Sequence, residues 1–293
     1  MYLSELFQRK RCVFSCEIFP PKKNSDIDSI NQTILGLERI HPDFISVTCG
    51  AGGCSIGDNL TIKVAKRIKE YGLEPLVHLT CVNSSCRNLE ETVALLKENN
   101  IDNILALRGD RAENSTASDF AYASDLISFI RQKGDFYVVA ACYPEGHPES
   151  NDMAKEILHL KEKIEAGAGH LISQLFFDND RFYAFMNKLH AAGIDVPVEA
   201  GIMPVVDKRF IEKIVSLCGA TLPVKFLKML DRFKNSPAAF FEAGIAYATE
   251  QIVDLISAGV RGIHLYTMNN PDVAEKIAKN IEDLLRNVND EPS

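Results

Sequence analysis

The stretch PLVHLTCVNSSCRNLEETVALLKENNIDNILALRGD (75–110) decides the fold, because it reads as a strand, a helix and a second strand. Each end is a short apolar and β-branched run, and the middle has the apolar spacing of an amphipathic helix. The same alternation continues along the chain and is typical of a parallel sheet. The predicted strands are VFSCEIFP (13–20), FISVTCG (44–50), PLVHLTC (75–81), NILALRGD (103–110), YVVAACYP (137–144), LISQLFFD (171–178), VPVEAGIMP (196–204) and GIHLYTM (262–268).

The first seven of these strands begin at intervals of about 25–35 residues, a regularity typical of the (β/α)8 TIM barrel, an α/β fold. The last interval is longer, and we place helical segments at 207–217 and 236–257, with a short helix in the connector LPVKFLKML (222–230). We therefore predict one barrel domain over residues 1–293, with an extra helical segment before the last strand and a frayed tail at 289–293. A doubly wound open sheet is the alternative, weakened by the absence of GxGxxG after a strand.

Composition excludes several classes of function. The chain is 46% hydrophobic. Its net charge of −8 argues against a nucleic-acid-binding surface, because such a surface needs clustered Lys and Arg. No run reaches the ~18 apolar residues of a membrane span, and the segment MYLSELFQRKR (1–11) lacks the apolar core of a signal peptide. We predict a cytoplasmic protein without nucleic-acid or membrane partners. Its eight Cys, none in a CxxC unit, are expected to be reduced, and no metal site is expected.

Polar side chains lie in or directly after nearly every predicted strand, at the end where barrel enzymes place their chemistry. Glu17 is embedded in an apolar strand, so we expect burial to raise its pKa and suit it to general-acid catalysis. A structural ion pair with Lys or Arg is the alternative, and Asp110 has the same ambiguity beside Arg108. The other polar residues of this set are Thr48, His78, Tyr143, Gln174, Tyr266 and Thr267.

Further segments suggest contacts with a flat or anionic ligand. Tyr143 and His147 in YPEGHPE (143–149) could lie against an aromatic ring, or belong to a rigid loop. Lys161 and Lys163 could meet a phosphate or only solvent, and the glycines of TCGAGG (48–53) would allow close backbone approach. These residues are compatible with proton transfer or cofactor chemistry on an organic substrate, but they do not identify the substrate.

Eight motifs in order resemble those of the methylenetetrahydrofolate reductases: CEIFPP (16–21), SVTCGAGG (46–53), HLTC (78–81), LALRGD (105–110), YPEGHPE (143–149), QLFFD (174–178), GIMP (201–204) and HLYTMN (264–269). The resemblance runs nearly end to end. It implies a flavin-containing barrel that reduces 5,10-methylenetetrahydrofolate to 5-methyltetrahydrofolate, with hydride passing from NADH or NADPH through FAD. It also implies a homo-oligomer.

The resemblance assigns roles to individual residues. Glu17 matches the family's general acid, and Asp110 matches a carboxylate near both flavin and folate. Gln174 and Tyr266 match substrate positions. The positions around FAD are Thr48, Cys49, Ala51, His78, Arg108, Gly109, Asp110, Ala123, Tyr143, His147, Glu156, His159 and Lys163.

The chain also departs from the family pattern. Cys49 replaces a Tyr, Glu162 an Arg, and Ser150 an Ala. Phe210 and Ile214 stand where the family has the Gln and Phe of the nicotinamide and folate site, and Asn270 replaces an Arg. One alternative is therefore a flavoprotein subunit of a larger complex that receives electrons from a partner protein. Another is a folate-binding barrel without flavin, such as a methyltransferase.

Overall fold

The computed structural model describes residues 1–21, 27–49, 60–82, 84–109, 119–150, 152–211 and 218–291, without the side chains of Ile27 and Phe210. Eight parallel strands form a closed barrel in sequence order, and the last strand pairs with the first. The predicted (β/α)8 barrel is confirmed. The strands are β1 (Val13–Ile18), β2 (Phe44–Val47), β3 (Pro75–Thr80), β4 (Asn103–Leu107), β5 (Tyr137–Cys142), β6 (Ala168–Ser173), β7 (Val198–Ile202) and β8 (Gly262–Tyr266).

Helices cover the outside of the barrel, and their apolar faces pack on the outward-facing strand residues in one large core. Several are capped in the way their sequences predict, as where the Ser85 side chain accepts from the Asn88 amide at the start of α4. The helices are α1 (Ser4–Arg9), α2 (Ile27–Glu38), α3 (Leu60–Glu70), α4 (Cys86–Glu98), α5 (Ala123–Lys133), α6 (Met153–Glu165), α7 (Asn179–Ala191), α8 (Val224–Phe233), α9 (Pro237–Ser257) and α10 (Pro271–Asp290). Within the described residues, no helix is long and apolar enough to cross a membrane.

Every strand ends one to five residues earlier than its sequence suggests. The polar residues at these positions leave the sheet and begin the loops that lead to the helices. Gln174, predicted inside the sixth strand, follows β6, and its amide donates to the Cys142 carbonyl at 2.7 Å. The shortening therefore moves the candidate site residues from the strands to the mouth of the barrel.

The opposite end of the barrel is closed by α1, which the sequence did not predict. Leu3, Leu6 and Phe7 are buried against inward-facing strand residues such as Phe44 and Val139. The Leu3 amide donates to Oδ1 of Asn103 at 3.0 Å, which fixes this segment to the start of β4. Burying each such side chain contributes roughly 1.5–3 kcal/mol, so α1 forms a stable apolar floor.

The long interval before β8 contains the extra helices that the sequence predicts. The segment 236–257 is confirmed as α9, and the connector contains α8. Of the predicted helix at 207–217, the structure describes a short 3-10 helix (Lys208–Phe210), and 212–217 lie outside the described residues. Close packing of α9 depends on Gly244, where a Cβ would lie 2.1 Å from the Val205 carbonyl oxygen.

The predicted fraying at 289–293 is wrong for its first two residues. Helix α10 continues to Asp290, and Asn289 holds the start of β1. Its Oδ1 accepts from the amides of Arg11 and Cys12 at 2.9 and 3.0 Å, and its Nδ2 donates to the Cys12 carbonyl at 3.0 Å. Residues 292–293 lie outside the described residues.

The cysteines follow the prediction only in part. Cys16 and Cys142 are fully buried on strands, and burial raises the pKa of both thiols, which makes them small unreactive core residues. Cys49, in contrast, is disulfide-bonded, so the expectation that every Cys is reduced is wrong. Its partner lies outside the described residues.

Candidate functional site

The mouth of the barrel holds two groups of polar side chains. One group lines a cavity of about 190 Å³ beside β4, β5 and α6. The other group surrounds Glu17 inside the barrel. In the described part of the chain, no three His, Cys, Asp or Glu side chains are arranged to hold a metal ion.

The cavity brings together residues that are widely separated in sequence. It lies at the ends of β4 and β5, between the first turn of α5 and the body of α6. Glu162 and Ser150, two departures from the family pattern, also line it. Seven of the residues assigned to the flavin share its lining: Arg108, Ala123, Tyr143, His147, Glu156, His159 and Lys163.

Two ionisable groups on α6, the buried Glu156 and the partly buried Lys163, give the cavity its polarity. Lys163 donates from Nζ to the Ala141 carbonyl at 3.0 Å, and Nζ lies 5.8 Å from the centre of the Tyr143 ring. Burial lowers the pKa of Lys163, and the negative charge of Glu156 opposes that shift. Glu156 is 3% exposed, and its Oε1 accepts no hydrogen bond among the described residues. An unpartnered buried carboxylate oxygen is costly, so this atom is suited to accept a hydroxyl hydrogen from a ligand.

Arg108 and Glu149 both line the cavity and are paired with each other. Nη1 and Nη2 of Arg108 donate to the two carboxylate oxygens of Glu149 at 2.7 and 2.8 Å, in a bidentate pair. The Glu149 amide donates to Nδ1 of His147 at 3.1 Å. Burial lowers the pKa of His147, and the positive charge of Arg108 adds to that shift, so the imidazole is neutral near pH 7. A ligand phosphate would compete with Glu149 for Arg108.

The second group is centred on Glu17. Its Oε2 lies 3.4 Å from Nε2 of His78 and 3.5 Å from Nε2 of His264, and Ser46 donates to the same oxygen at 3.5 Å. These residues come from β1, β2, β3 and β8, whose inward-facing positions meet in the barrel. Glu17 is 16% exposed, which leaves the carboxylate open toward the mouth.

The predicted rise in the pKa of Glu17 is wrong. Burial does raise the pKa of this carboxyl, but the bond to His264, the charges of His78 and His264 and the Ser46 hydroxyl together lower it below its ordinary value. The alternative of an ion pair with Lys or Arg also differs from the structure, because imidazoles take that place. Burial lowers the pKa of His78 to about 4, so this imidazole is neutral near pH 7 and its positive charge acts on Glu17 only at acidic pH. Glu17 is thus an anion in the ligand-free protein.

The two predicted substrate residues occupy neighbouring positions at the mouth. Tyr266 donates from its hydroxyl to the Ser173 carbonyl at 2.8 Å, and burial raises its pKa, so it remains a neutral donor. Gly201 on β7 makes room for it, since a Cβ there would lie 2.9 Å from the Tyr266 hydroxyl. Oε1 of Gln174 accepts from the Leu175 amide at 2.9 Å, which leaves the amide nitrogen as the donor of that side chain.

Several residues predicted to surround the flavin are not in the lining of this cavity. The Thr48 carbonyl accepts from the Thr61 hydroxyl at 3.2 Å, and Sγ of Cys49 lies 3.2 Å from the His78 carbonyl oxygen. Gly109 has a left-handed φ of +84°, and a Cβ there would lie 3.0 Å from Val82. Three predicted positions, Ala51, Asp110 and Ile214, lie outside the described residues.

Asn270, which replaces a family Arg, has a structural role here. Its side chain accepts from the Val273 amide at 3.3 Å and so caps the first turn of α10. The sequence Asn-Pro at 270–271 carries that signal, because Pro is favoured at the first helical position.

Sequence reasoning missed His264 and Ser46 as partners of Glu17. Both lie on strands, and His264 falls two residues before Tyr266, on the same face of β8. The period of two could have placed His264 in the barrel interior, but only the closure of β8 against β1 brings it to Glu17.

Comparison with known proteins identifies the family of the chain. The methylenetetrahydrofolate reductase family model matches residues 2–282. A 5,10-methylenetetrahydrofolate reductase of Pectobacterium carotovorum is 35% identical over 264 residues, which cover 90% of this chain and 88% of that protein. A probable methylenetetrahydrofolate reductase (NADH) of Oryza sativa is 34% identical over 292 residues. That alignment covers 92% of this chain but 48% of the plant protein, so the chain spans about half the length of such relatives.

Solved structures show the same fold. An uncharacterised protein from Clostridium thermocellum, which binds two copies of 5-methyl-5,6,7,8-tetrahydrofolic acid, superposes with a TM-score of 0.67 at 13% identity. The superposition covers 98% of this chain and 99% of that one. From the match over residues 2–282 and the bacterial relative at 35% identity, we conclude that this chain belongs to the methylenetetrahydrofolate reductase family.

Proposed function

We propose that this chain reduces 5,10-methylenetetrahydrofolate to 5-methyltetrahydrofolate with FAD as its cofactor. The observation that carries the proposal is the cavity whose lining unites seven residues assigned to the flavin, in a barrel that also holds a carboxylate at the position of the family's general acid. When bound in this cavity, FAD supplies the hydride that reduces the methylene carbon of the folate.

The cavity residues suit a dinucleotide with a diphosphate. Arg108 and Lys163 provide positive charge, and the rings of Tyr143 and His147, whose centres are 4.7 Å apart, provide an aromatic surface. The unpartnered Oε1 of Glu156 can accept from a ribityl or ribose hydroxyl. When the diphosphate binds to Arg108, at least one hydrogen bond of the Arg108–Glu149 pair has to break.

Glu17 is proposed as the proton donor to the folate. Its proton would go to the amine nitrogen that leaves the methylene carbon, so that the five-membered ring opens to an iminium. Because the pKa of Glu17 is lowered in the ligand-free protein, the carboxylate has to gain a proton when folate binds. The imidazole of His264, whose Nε2 lies 3.5 Å from Oε2 of Glu17, is positioned to exchange one with it.

The electron donor is proposed to be NADH or NADPH. A partner protein is the second candidate, and the role of Asn270 favours it: the position where the family has an Arg is here committed to capping α10. The cytoplasmic location and the homo-oligomeric state remain predictions.

Anaerobic stopped-flow mixing tests the proposal. Purified protein should be yellow, and its flavin should be bleached by methyltetrahydrofolate and by NADH or NADPH. Bleaching by methyltetrahydrofolate but by neither nucleotide would favour the partner protein. A colourless protein that neither binds added FAD nor turns over folate would refute the proposed reductase and favour a flavin-free folate barrel.

A further inference from the structure

A buried carboxylate lies deeper in the barrel than the groups assigned to catalysis. Glu199 is the second residue of β7, and its side chain is completely buried. A glycine makes room for it, because a Cβ at Gly262 on β8 would lie 2.6 Å from Cγ of Glu199. Burying a charge costs several kcal/mol unless partners compensate for the lost solvent. The partners of Glu199 therefore indicate what it does.

One carboxylate oxygen of Glu199 faces His170 on β6. Nε2 of His170 lies 3.1 Å from Oε1, within ion-pair distance but poorly aligned for a hydrogen bond. Nδ1 of His170 lies 3.1 Å from the Tyr137 hydroxyl, and the imidazole packs 4.8 Å from the Phe7 ring of the apolar floor. On this side, Glu199 therefore faces an imidazole that is itself held between Tyr137 and Phe7.

The other oxygen of Glu199 is bound to Ser15 on β1, whose hydroxyl has a single hydrogen and two close neighbours. Oγ lies 2.7 Å from Oε2 of Glu199 and 2.6 Å from Nδ1 of His264. A carboxylate can only accept, so the hydroxyl donates to Glu199, and its oxygen has to accept from Nδ1. His264 therefore carries a proton on Nδ1 as long as Glu199 is ionised.

The remaining nitrogen of His264 faces the proposed proton donor. Nε2 lies 3.5 Å from Oε2 of Glu17 and 3.4 Å from the Ser46 hydroxyl. With Nδ1 already protonated, a bare Nε2 would direct its lone pair at a carboxylate, which is unfavourable. A proton on Nε2 removes that repulsion and directs an N–H donor at Glu17.

We propose that Glu199 is a positioning residue for proton transfer at Glu17: through Ser15 it fixes a proton on Nδ1 of His264, which leaves Nε2 to exchange the reaction proton with Glu17. The inference rests on the proposed function, since this proton is the one that opens the folate ring. The Nε2–H bond breaks as an O–H bond forms on Glu17. That O–H bond then breaks as an N–H bond forms on the leaving amine nitrogen of the folate. Glu199 itself exchanges no proton in these steps.

The test observes His264 directly in the full-length protein with ¹⁵N-labelled histidines. Long-range ¹H–¹⁵N correlation spectra report which ring nitrogens carry protons, and His264→Gln identifies the resonances of His264. We expect a protonated Nδ1 in the wild type. Ser15→Ala and Glu199→Gln should each alter the His264 resonances, because one removes the connecting hydroxyl and the other the charge that orients it. An unprotonated Nδ1 in the wild type, or resonances unchanged in either variant, would overturn the proposal.

Glu74→Gln is the matched control. Glu74 is a largely buried carboxylate just before β3 that accepts from Asn103 at 3.0 Å, and none of its contacts leads to His264. The substitution is the same one, so His264 resonances that change equally in Glu74→Gln would also overturn the proposal. Circular dichroism and the dispersion of the other histidine signals show whether each variant is folded.

A kinetic readout separates this proposal from the proposed function. In Glu199→Gln, single-turnover folate reduction should slow by about 10-fold, a part of the 10²–10⁴ that a positioned general acid contributes. Flavin reduction by the electron donor should be unchanged. If the wild type reduces no folate, the proposed function fails while the NMR result on His264 still stands. If the wild type is active and Glu199→Gln reduces folate at the wild-type rate, the positioning role fails alone.

Discussion

Glu149→Gln should tighten FAD binding, because it removes the carboxylate that pairs with Arg108 in the cavity lining. The Arg108–Glu149 pair is bidentate at 2.7 and 2.8 Å, but the Glu149 side chain is 57% exposed. Exposed ion pairs contribute about 0–1 kcal/mol, and bidentate geometry places this one in the upper half of that range. Losing about 0.5–1 kcal/mol of competition corresponds to an FAD dissociation constant that is about 2–5-fold lower.

The assay is a titration of flavin-stripped protein with FAD, followed by quenching of flavin fluorescence. Glu162→Gln is the matched control, since it removes one negative charge from the same lining without touching the Arg108–Glu149 pair. Its effect should be smaller. The gain for Glu149→Gln should also shrink as salt is raised, because exposed charges are screened. Weaker FAD binding by Glu149→Gln would refute the reasoning, since it would mean that Glu149 helps to hold the flavin.

Three further variants test other parts of the site. Glu17→Gln should leave FAD bound and flavin reduction intact while lowering folate turnover by about 10²–10⁴; turnover near the wild-type rate would show that Glu17 is not the acid. The pKa of His78 is lowered to about 4, so the unfolded chain binds an extra proton between pH 6.5 and 4. Stability should therefore fall by about 3 kcal/mol as pH drops through this window, and urea unfolding of His78→Gln should show a smaller fall; an equal fall would contradict the assignment. Gly201→Ala places a Cβ 2.3 Å from the Ser173 carbonyl oxygen, and thermal unfolding should reveal a loss of about 1–3 kcal/mol, whereas an unchanged midpoint would show that the site relaxes freely.

The fold could be predicted because its signal is local. Each strand is a short β-branched run, each helix has its own apolar period, and the repeat of the two implies a barrel. The strand ends were less predictable, since a strand ends where its neighbours stop pairing and not where its apolar run stops. Helix α1 was missed for a similar reason. Its apolar face is buried only because the barrel is closed, so that Leu3 and Phe7 can fill the end of the barrel.

The site could be predicted from local sequence even less completely than the fold. The seven cavity residues were predicted through a family resemblance and share one lining. The pKa of Glu17 was predicted with the wrong sign because its apolar neighbours in the chain reveal only its burial. The imidazole of His264, which reverses the shift, lies 247 positions later in the sequence and arrives only through the pairing of β8 with β1. Glu199 and its partners Ser15 and His170 were missed because no local pattern links three strands.

The apolar floor formed by Leu3, Leu6 and Phe7 also shapes the route by which protons reach the barrel interior from water. Phe7 covers one face of His170 at the inner end of the polar chain, but Tyr137, whose hydroxyl lies 3.1 Å from Nδ1 of the same imidazole, is partly exposed. In the described part of the molecule, this chain therefore approaches solvent at Tyr137 as well as at Glu17. A ligand that covers Glu17 at the mouth would leave the floor end accessible. Reprotonation of the barrel interior would then not have to wait for the mouth to open.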